Sequence, residues 1–261
     1  MNKASLVNDS RPILETKEVG KVFERKGSGN LVALEGVSLS LNFGECVGLV
    51  GESGCGKSTL AQILTRFVKP SSGEVLFKGR NVAQMNAKEL REMYRSVQMV
   101  FQQPGESFDP RQTLGSALCE GMRNAGMSKV SAEKRAHELL EQCGLPSEVF
   151  ERYPREVSGG QCQRASIARA LAIEPEVLIC DEVTSALDVT VQQQIVELLK
   201  RLRKELDMTM LFICHDLALV KGMCDRVVVM KQGRIVEEGS TEQVLHNPQT
   251  EYVKALLSAM L

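Results

Sequence analysis

No stretch of this 261-residue chain stays apolar for the roughly 18 residues that a membrane-spanning helix requires. The opening segment, MNKASLVNDSRPIL, also lacks the apolar core of a signal peptide. The formal net charge is −1 and lysine and arginine are spread along the chain, so no overall field favours nucleic acid or an anionic membrane. If the protein works at a membrane, we expect another chain to hold it there.

The eight cysteines include no CxxC pair, and several of them lie within apolar runs. Structural zinc sites and the disulfide frameworks of secreted domains both depend on regular cysteine spacings. We therefore expect reduced thiols in a cytosolic protein, with neither a disulfide framework nor a metal cluster.

Short β-like runs alternate with helical patterns through most of the chain, and no internal repeat is present. Four runs have the continuous apolar character of buried parallel strands: ECVGLV at 45–50, SVQMVFQ at 96–102, EVLICD at 176–181 and TMLFIC at 209–214. This alternation predicts an α/β fold with a mostly parallel sheet and helices on both faces. Residues 13–50 have short strands and turns instead, including a turn at KGSGN, 26–30.

Helical patterns without a convincing strand dominate residues 104–165, which predicts a helical subdomain inserted into the α/β core. Later, RVVVMKQGRIVEEG at 226–239 predicts two strands around a glycine turn, and a helical tail follows over 240–261. A further helix is predicted at 189–206, with one apolar face formed by Val191, Ile195, Leu198, Leu199 and Leu202.

The segment GESGCGKST, residues 51–59, follows a predicted buried strand and opens a predicted helix. It fits the pattern GxxxxGK[ST], in which glycines let the backbone amides curl around a phosphate. Lys57 would place its charge on the β- and γ-phosphates, and Ser58 would offer its hydroxyl to Mg²⁺. The alternative is a glycine-rich turn before an ordinary helix, but the strand and helix on either side favour a nucleotide site.

The apolar strand VLICDE ends in two acids, Asp181 and Glu182. Because apolar strands seldom bury carboxylates, we expect both side chains to emerge at the carboxyl end, where α/β sheets bind ligands. Asp181 suits the coordination shell of Mg²⁺, and Glu182 could accept a proton from an attacking water. The alternative is an aspartate that caps the next helix.

Gln102 and His215 also follow predicted strands, so they should reach the same edge of the sheet. A neutral histidine there could hydrogen-bond a γ-phosphate, although a lone histidine is more often structural. From the residues alone, a functional and a structural role stay equally open for both.

VSGGQCQRASIARAL, residues 157–171, predicts a second helix start that could bind an anion. Ser158 can cap this helix, and two glycines free the backbone amides that follow. An ordinary capped helix is the alternative.

Together, in this order and spacing, these residues resemble the nucleotide-binding subunit of an ABC transporter over almost the whole chain. The resemblance identifies the Walker A loop as Gly51–Thr59, the Q-loop glutamine as Gln102, the signature as VSGGQ at 157–161, the Walker B acids as Asp181 and Glu182, the D-loop as SALD at 185–188, and the switch histidine as His215. It implies a single ABC ATPase domain over 13–261. That domain would have a P-loop NTPase core, an N-terminal antiparallel β subdomain and the signature-bearing helical subdomain at 104–165.

The resemblance also implies ATP and Mg²⁺ as cofactors and gives each residue a role. Catalysis would use Gln102, Glu182 and His215, and Mg²⁺ would be held by Ser58, Gln102 and Asp181. ATP would contact Asp181 and the loop residues Gly51, Glu52, Ser53, Gly54, Cys55, Gly56, Lys57, Ser58 and Thr59. Phe23 would stack on adenine, with an ordinary core phenylalanine as the alternative.

ABC ATPase domains pair head to tail, so the signature would act on the ATP of a partner subunit through Ser158, Gly159, Gly160 and Gln161. Ser185 and Asp188 would belong to the D-loop. The implied partners are two transmembrane permeases, a second ATPase subunit that is a related chain or a copy of this one, and an extracytoplasmic substrate-binding protein acting through the permeases. No nucleic acid is implied, and the implied location is the cytoplasmic face of the cell membrane, as a peripheral subunit.

Several stretches are similar to one branch of the family, which imports peptides and, in close relatives, nickel. They include MVFQQPGESFDPR at 99–111, SALDVTVQ at 185–192 and NPQTEYVKALLSA at 247–259. Uptake of dipeptides or oligopeptides is the implied function, and import of nickel or a metal chelate is the alternative. A soluble ABC ATPase acting on nucleic acid or ribosomes is less well supported, because the chain has no coiled-coil insertion and no basic stripe interleaved with aromatic residues.

Overall fold

The computed structural model describes residues 11–24, 29–185 and 187–258. Two sheets organise this part of the chain, and the larger has six strands in the order β10-β9-β3-β8-β7-β6. Its pairs β9–β3, β3–β8, β8–β7 and β7–β6 are parallel, and only β10 is antiparallel to its neighbour. The second sheet is antiparallel, in the order β2-β1-β4-β5.

The strands of the two sheets have the following bounds. They are β1 Leu14–Phe23, β2 Leu31–Leu41, β3 Cys46–Val50, β4 Ser72–Phe77, β5 Arg80–Asn81, β6 Val97–Val100, β7 Val177–Asp181, β8 Thr209–Cys214, β9 Arg226–Lys231 and β10 Arg234–Ser240. The helices are α1 Lys57–Leu64, α2 Ala87–Ser96, α3 Leu114–Asn124, α4 Lys129–Gln142, α5 Gly159–Leu171, α6 Val189–Leu206, α7 Leu217–Val220, α8 Thr241–His246 and α9 Glu251–Ser258.

Each face of the parallel sheet buries its own apolar core, because successive side chains of a strand point to opposite faces. In β8, Leu211 and Ile213 join the core formed with α1 and the antiparallel sheet. Phe212 and Cys214 join the core formed with α3 to α6. The parallel sheet therefore lies between two layers, and the predicted α/β fold is confirmed.

The helices of the structure largely follow the sequence predictions. Helix α6 has the predicted bounds, and Ile195, Leu198, Leu199 and Leu202 are buried on it, whereas Val191 is only partly buried. Three helices and short 3₁₀ turns occupy most of 104–171, and α5 runs past residue 165. The predicted turn at 26–30 lies mostly outside the described residues. No helix in the described ranges is long and apolar enough to cross a membrane.

The carboxyl ends of β3, β6, β7 and β8 meet along one edge of the sheet because these strands run parallel. The loop after β3 is the predicted Walker A segment. Gln102, Glu182 and His215 come within two residues of the ends of the other three strands. The topology therefore collects at one edge the residues that the sequence marks as chemically significant.

Candidate nucleotide-binding site

The loop between β3 and α1 is wrapped around the ammonium group of Lys57. This side chain is 3% exposed, and its Nζ donates to the carbonyl oxygens of Gly51 at 2.7 Å and Glu52 at 3.0 Å. A buried ammonium requires hydrogen-bond acceptors, and here the loop backbone supplies them. Ser53 and Gly54 are exposed at the tip of the loop, and Thr59 is half-buried in the first turn of α1.

Two glycines of the loop have no room for a side chain. A Cβ on Gly51 would lie 2.2 Å from the carbonyl oxygen of Met230, and one on Gly56 would lie 2.6 Å from that of Ala33. Gly56 also has a φ of 109°, which L side chains rarely adopt. The loop is therefore pressed between β9 and the antiparallel sheet. Among the described residues, the N–H groups of Ser58 and Thr59 at the start of α1 have no hydrogen-bond partner, as a phosphate site requires.

Asp181 is the last residue of β7, and it is 6% exposed. It lies at the carboxyl end of the strand, as expected, but it is buried there, because Ser58 packs over it and the Ser58 hydroxyl donates to Oδ1 at 3.1 Å. Burial raises the pKa of Asp181 to about 6, against the opposing effect of the Ser58 hydrogen bond. A bound cation would favour the ionised carboxylate.

Glu182 follows directly and has a left-handed backbone, with a φ of 47°. Such a conformation costs on the order of 1–3 kcal/mol for a residue with a side chain, so its surroundings must hold it. They do so at both ends, because the Glu182 N–H donates to the Ile213 carbonyl at 3.0 Å and its own carbonyl accepts from the Ser185 hydroxyl at 3.0 Å. The turn directs the carboxylate to Lys57, with 3.6 Å between Oε1 and Nζ.

Gln102 reaches the same carboxylate from the loop after β6. Its Nε2 donates to Glu182 Oε2 at 3.0 Å and to Ser185 Oγ at 3.2 Å. The carboxylate is therefore held between an amide and an ammonium group, with the predicted D-loop serine beside it. Glu182 and Gln102, which the sequence placed at strand ends, therefore form one polar network with Lys57 and Ser185.

Two predicted site residues lie apart from this network. His215 is exposed after β8 and makes no hydrogen bond to any described residue. Phe23 ends β1, is half-buried and faces Lys21, whose Nζ lies 5.0 Å from the ring centroid. It pairs with Leu31 on β2, and the same strand approaches Gly56 of the loop through the Ala33 carbonyl.

The signature segment begins α5 with a capping box. The Ser158 side chain accepts from the Gln161 N–H at 3.2 Å, and Gln161 Oε1 accepts from the Ser158 N–H at 3.0 Å. A Cβ on Gly160 would lie 2.8 Å from the Val191 side chain of α6, which would have to move, whereas a Cβ on Gly159 would meet only Leu187, at 3.8 Å. Within 11–24, 29–185 and 187–258, no hydrogen bond or ion pair joins this segment to the Walker A loop.

Asp188, the predicted D-loop aspartate, caps α6 by accepting from the Val191 N–H at 3.0 Å. The same helix contacts the signature segment through Val191, so one helix start supports both predicted motifs. Sequence reasoning missed another neighbour of the site, Tyr252 of α9, whose hydroxyl accepts from the Glu52 N–H at 3.4 Å. No local pattern could have found it, because the two residues are 200 positions apart.

The family model described as ABC transporter matches residues 34–185, which hold the Walker A loop, the signature and both Walker B acids. The chain belongs to the ABC transporter family. As a member of this family it is an ABC ATPase, in which ATP hydrolysis is coupled to transport, and this confirms the prediction made from the motifs.

Its relatives cover most of its length. A Brucella ovis protein named for peptide import is 45% identical over 95% of this chain and 78% of its own. The oligopeptide transport ATP-binding protein OppF of Salmonella typhimurium is 44% identical over 97% of this chain and 76% of its own. A dimeric structure of the ATP-binding cassette MJ0796, bound to ADP and Pi, is 31% identical with a TM-score of 0.80, over 87% of this chain and 98% of its own.

The cysteines near the site provide a test of this geometry. All eight are buried and free, and burial raises the pKa of both Cys55 and Cys162. Because the thiolate is the reactive form, we expect a bulky thiol reagent to modify both slowly at neutral pH and rapidly once the chain is unfolded. An aromatic disulfide reagent releases a coloured thiolate for each cysteine that it modifies. The rate at which this absorbance appears, with and without guanidinium, measures the modification. Rapid modification of Cys55 in the folded chain would contradict the described loop.

Proposed function

We propose that this chain is the ATP-binding, ATP-hydrolysing subunit of an ABC importer that takes up peptides. The observation that carries the ATP site is the network at one sheet edge. There Lys57, Glu182 and Gln102 are joined by contacts of 3.6 and 3.0 Å, and Ser58 bonds Asp181 at 3.1 Å. Peptide cargo is supported by the Brucella ovis and Salmonella typhimurium relatives, whose names assign them to peptide and oligopeptide transport.

In this proposal the loop amides and Lys57 bind the β- and γ-phosphates. The positive end of the α1 dipole faces the same position, which favours a bound anion. Lys57 already lies within the loop, so binding needs only a turn of its ammonium group from backbone carbonyls to phosphate oxygens.

Ser58, Asp181 and the free amide oxygen of Gln102 would hold Mg²⁺. A hydroxyl, a carboxylate and an amide oxygen fit this ion, which prefers oxygen ligands, and Ser58 and Asp181 already lie in contact. When bound, Mg²⁺ neutralises charge on the β- and γ-phosphates.

Glu182 is the residue best placed to take a proton from an attacking water. Its carboxylate is 17% exposed, so water reaches it, and Gln102 and Lys57 hold its orientation. A positioned general base contributes on the order of 10²–10⁴-fold to a rate. His215 is exposed at the adjacent strand end, where it is available to a γ-phosphate.

Replacing Glu182 with glutamine tests this role. We expect Glu182→Gln to bind ATP normally and to hydrolyse it on the order of 10²–10⁴-fold more slowly, because the amide cannot accept the proton. Glu176→Gln is the matched control, since Glu176 precedes the opposite end of β7 and bonds Lys78 and Ser96 instead. Phosphate release measures both, and near-normal hydrolysis by Glu182→Gln would refute its catalytic assignment.

A second ATPase subunit, either a related chain or a copy of this one, would complete each site with its signature. At the start of α5, Ser158 and Gln161 each accept a hydrogen bond from the other's backbone N–H. Among the described residues, no hydrogen bond or ion pair joins this segment to the chain's own Walker A loop. The related cassette MJ0796 is dimeric with ADP and Pi bound, which supports such an arrangement.

Mixing two inactive variants tests shared sites between copies of the chain. Gly159→Asp fits the fold, because its Cβ meets only Leu187 at 3.8 Å, but its charge would repel a partner's phosphate. Lys57→Ala lacks the phosphate contact. We expect each variant alone to be nearly inactive and the mixture to recover hydrolysis, since a mixed dimer holds one intact Walker A loop facing one intact signature. A mixture as inactive as its components would contradict sharing between copies and leave a related chain as the partner.

Two permease subunits would dock in the apolar groove beside the helical layer. The groove, of about 510 Å³, is lined by aromatic and apolar side chains that include Phe67, Tyr94, Phe101 and Ile173. Phe67 is 66% exposed beside the other apolar side chains of this groove, and a contiguous exposed apolar patch is typical of a protein–protein contact. Nearby, Arg169 of α5 donates to the Ser107 carbonyl at 2.5 Å, so a partner in this groove would lie next to the signature helix.

Phe67→Asp is expected to abolish co-purification with the permeases while leaving the affinity for ATP unchanged, because it charges the groove and not the phosphate loop. Phe43→Asp is the matched control, since Phe43 is 50% exposed at the turn before β3 and does not line the groove. Affinity purification from detergent-solubilised membranes measures the difference. Equal retention of the permeases by both variants would place the docking surface elsewhere.

Through the permeases, this chain would act with an extracytoplasmic substrate-binding protein, and its own place would be the cytoplasmic face of the membrane. A transport assay of the assembled complex with peptides and with nickel chelates separates the two cargo classes.

A further inference from the structure

The C-terminal helix α9 contacts the phosphate loop through Tyr252. The Tyr252 hydroxyl accepts from the backbone N–H of Glu52 at 3.4 Å, and its ring lies 4.3 Å from the Nζ of Lys231. Lys231 ends β9, next to the Met230 carbonyl against which Gly51 packs. The Tyr252 ring thus lies against the end of β9, the strand on which Gly51 at the start of the phosphate loop packs.

A buried carboxylate fixes the start of α9. Glu237 of β10 is 9% exposed and accepts from the backbone N–H groups of Gln249 at 2.7 Å and Thr250 at 2.9 Å, and from the Thr250 hydroxyl at 2.6 Å. Although burial alone would raise it, these hydrogen bonds hold the pKa of Glu237 below its usual value. The position of Tyr252, two residues after Thr250, follows from this anchor.

The contact falls on a particular peptide unit of the loop. The N–H that Tyr252 accepts from belongs to the peptide that joins Gly51 to Glu52, and the carbonyl of that same peptide accepts from Lys57 at 2.7 Å. The peptide plane is therefore held from both sides. When Lys57 turns toward a phosphate its hold on the carbonyl weakens, while the contact with Tyr252 is unaffected.

We propose that Tyr252 is a positioning residue for ATP binding, which holds the first peptide of the phosphate loop in its binding conformation from the C-terminal helix. The inference rests on the proposed ATP site. A loop held in its bound conformation loses less conformational freedom on binding, so the effect belongs in the affinity for ATP and not in the chemical step.

Tyr252→Phe keeps the ring against Lys231 and removes only the hydroxyl. We expect the KM for ATP to rise about two- to tenfold, the range of one hydrogen bond, with kcat unchanged at saturating ATP. Tyr153→Phe is the matched control, because it also removes one tyrosine hydroxyl, from an exposed residue that belongs neither to the phosphate loop nor to the groove. A KM no higher than that of the control, or a lower kcat with unchanged KM, would overturn the proposal.

Glu237→Gln tests the same contact by weakening the hydrogen bonds that hold the start of α9. We expect it to raise the KM in the same direction, and the double variant with Tyr252→Phe to be no worse than the weaker-binding single variant, since both act through one contact. Independent, additive effects would contradict the proposed route, and melting temperatures would show whether any variant is merely unfolded. A wild-type chain that binds no ATP would overturn the proposed function and this inference with it, whereas binding that is insensitive to Tyr252 would overturn the inference alone.

Discussion

The site depends on one buried ammonium group. Lys57 is 3% exposed, and an unpartnered charge at that depth would cost several kcal/mol of stability. The groups around it must therefore supply hydrogen-bond acceptors or negative charge. The curl of the loop follows, because the carbonyls of Gly51 and Glu52 have to face inward. So does the turn at Glu182, whose carboxylate lies 3.6 Å away. The same loop leads into α1, where the N–H groups of Ser58 and Thr59 have no hydrogen-bond partner among the described residues and can meet a phosphate.

The strained backbone at Glu182 connects the Lys57 ammonium to the ends of the neighbouring strands of the parallel sheet. A left-handed glutamate is unfavourable by itself, yet Ile213 and Ser185 hold it, and Gln102 holds its carboxylate from a third strand end. A segment that displaces Gln102 would therefore loosen the proposed general base without touching it. Ser107 and Arg169 link the loop after Gln102 to the signature helix, so the groove, the base and the signature are mechanically adjacent.

Local patterns predicted the elements and most of the site, because spacing along a strand or a helix start controls where a side chain lies. Lys57 and Ser58 follow the loop glycines, and Ser158 with Gln161 forms the capping box that its helix start predicts. Burial was harder to predict. Asp181 is covered by Ser58, and the cysteines near the loop and the signature are enclosed, because residues far away in sequence pack over them.

The sequence by itself determined the family, through the order and spacing of its motifs, and it determined the α/β fold and the phosphate loop, because their patterns lie within short segments. Only the tertiary structure decided that Gly160 packs against Val191 and that Tyr252 reaches the Walker A loop. These contacts join segments distant in sequence, and they exist only after two sheets and a helical layer have packed. The sequence gives each side chain its chemical character, but tertiary packing decides which side chains come into contact.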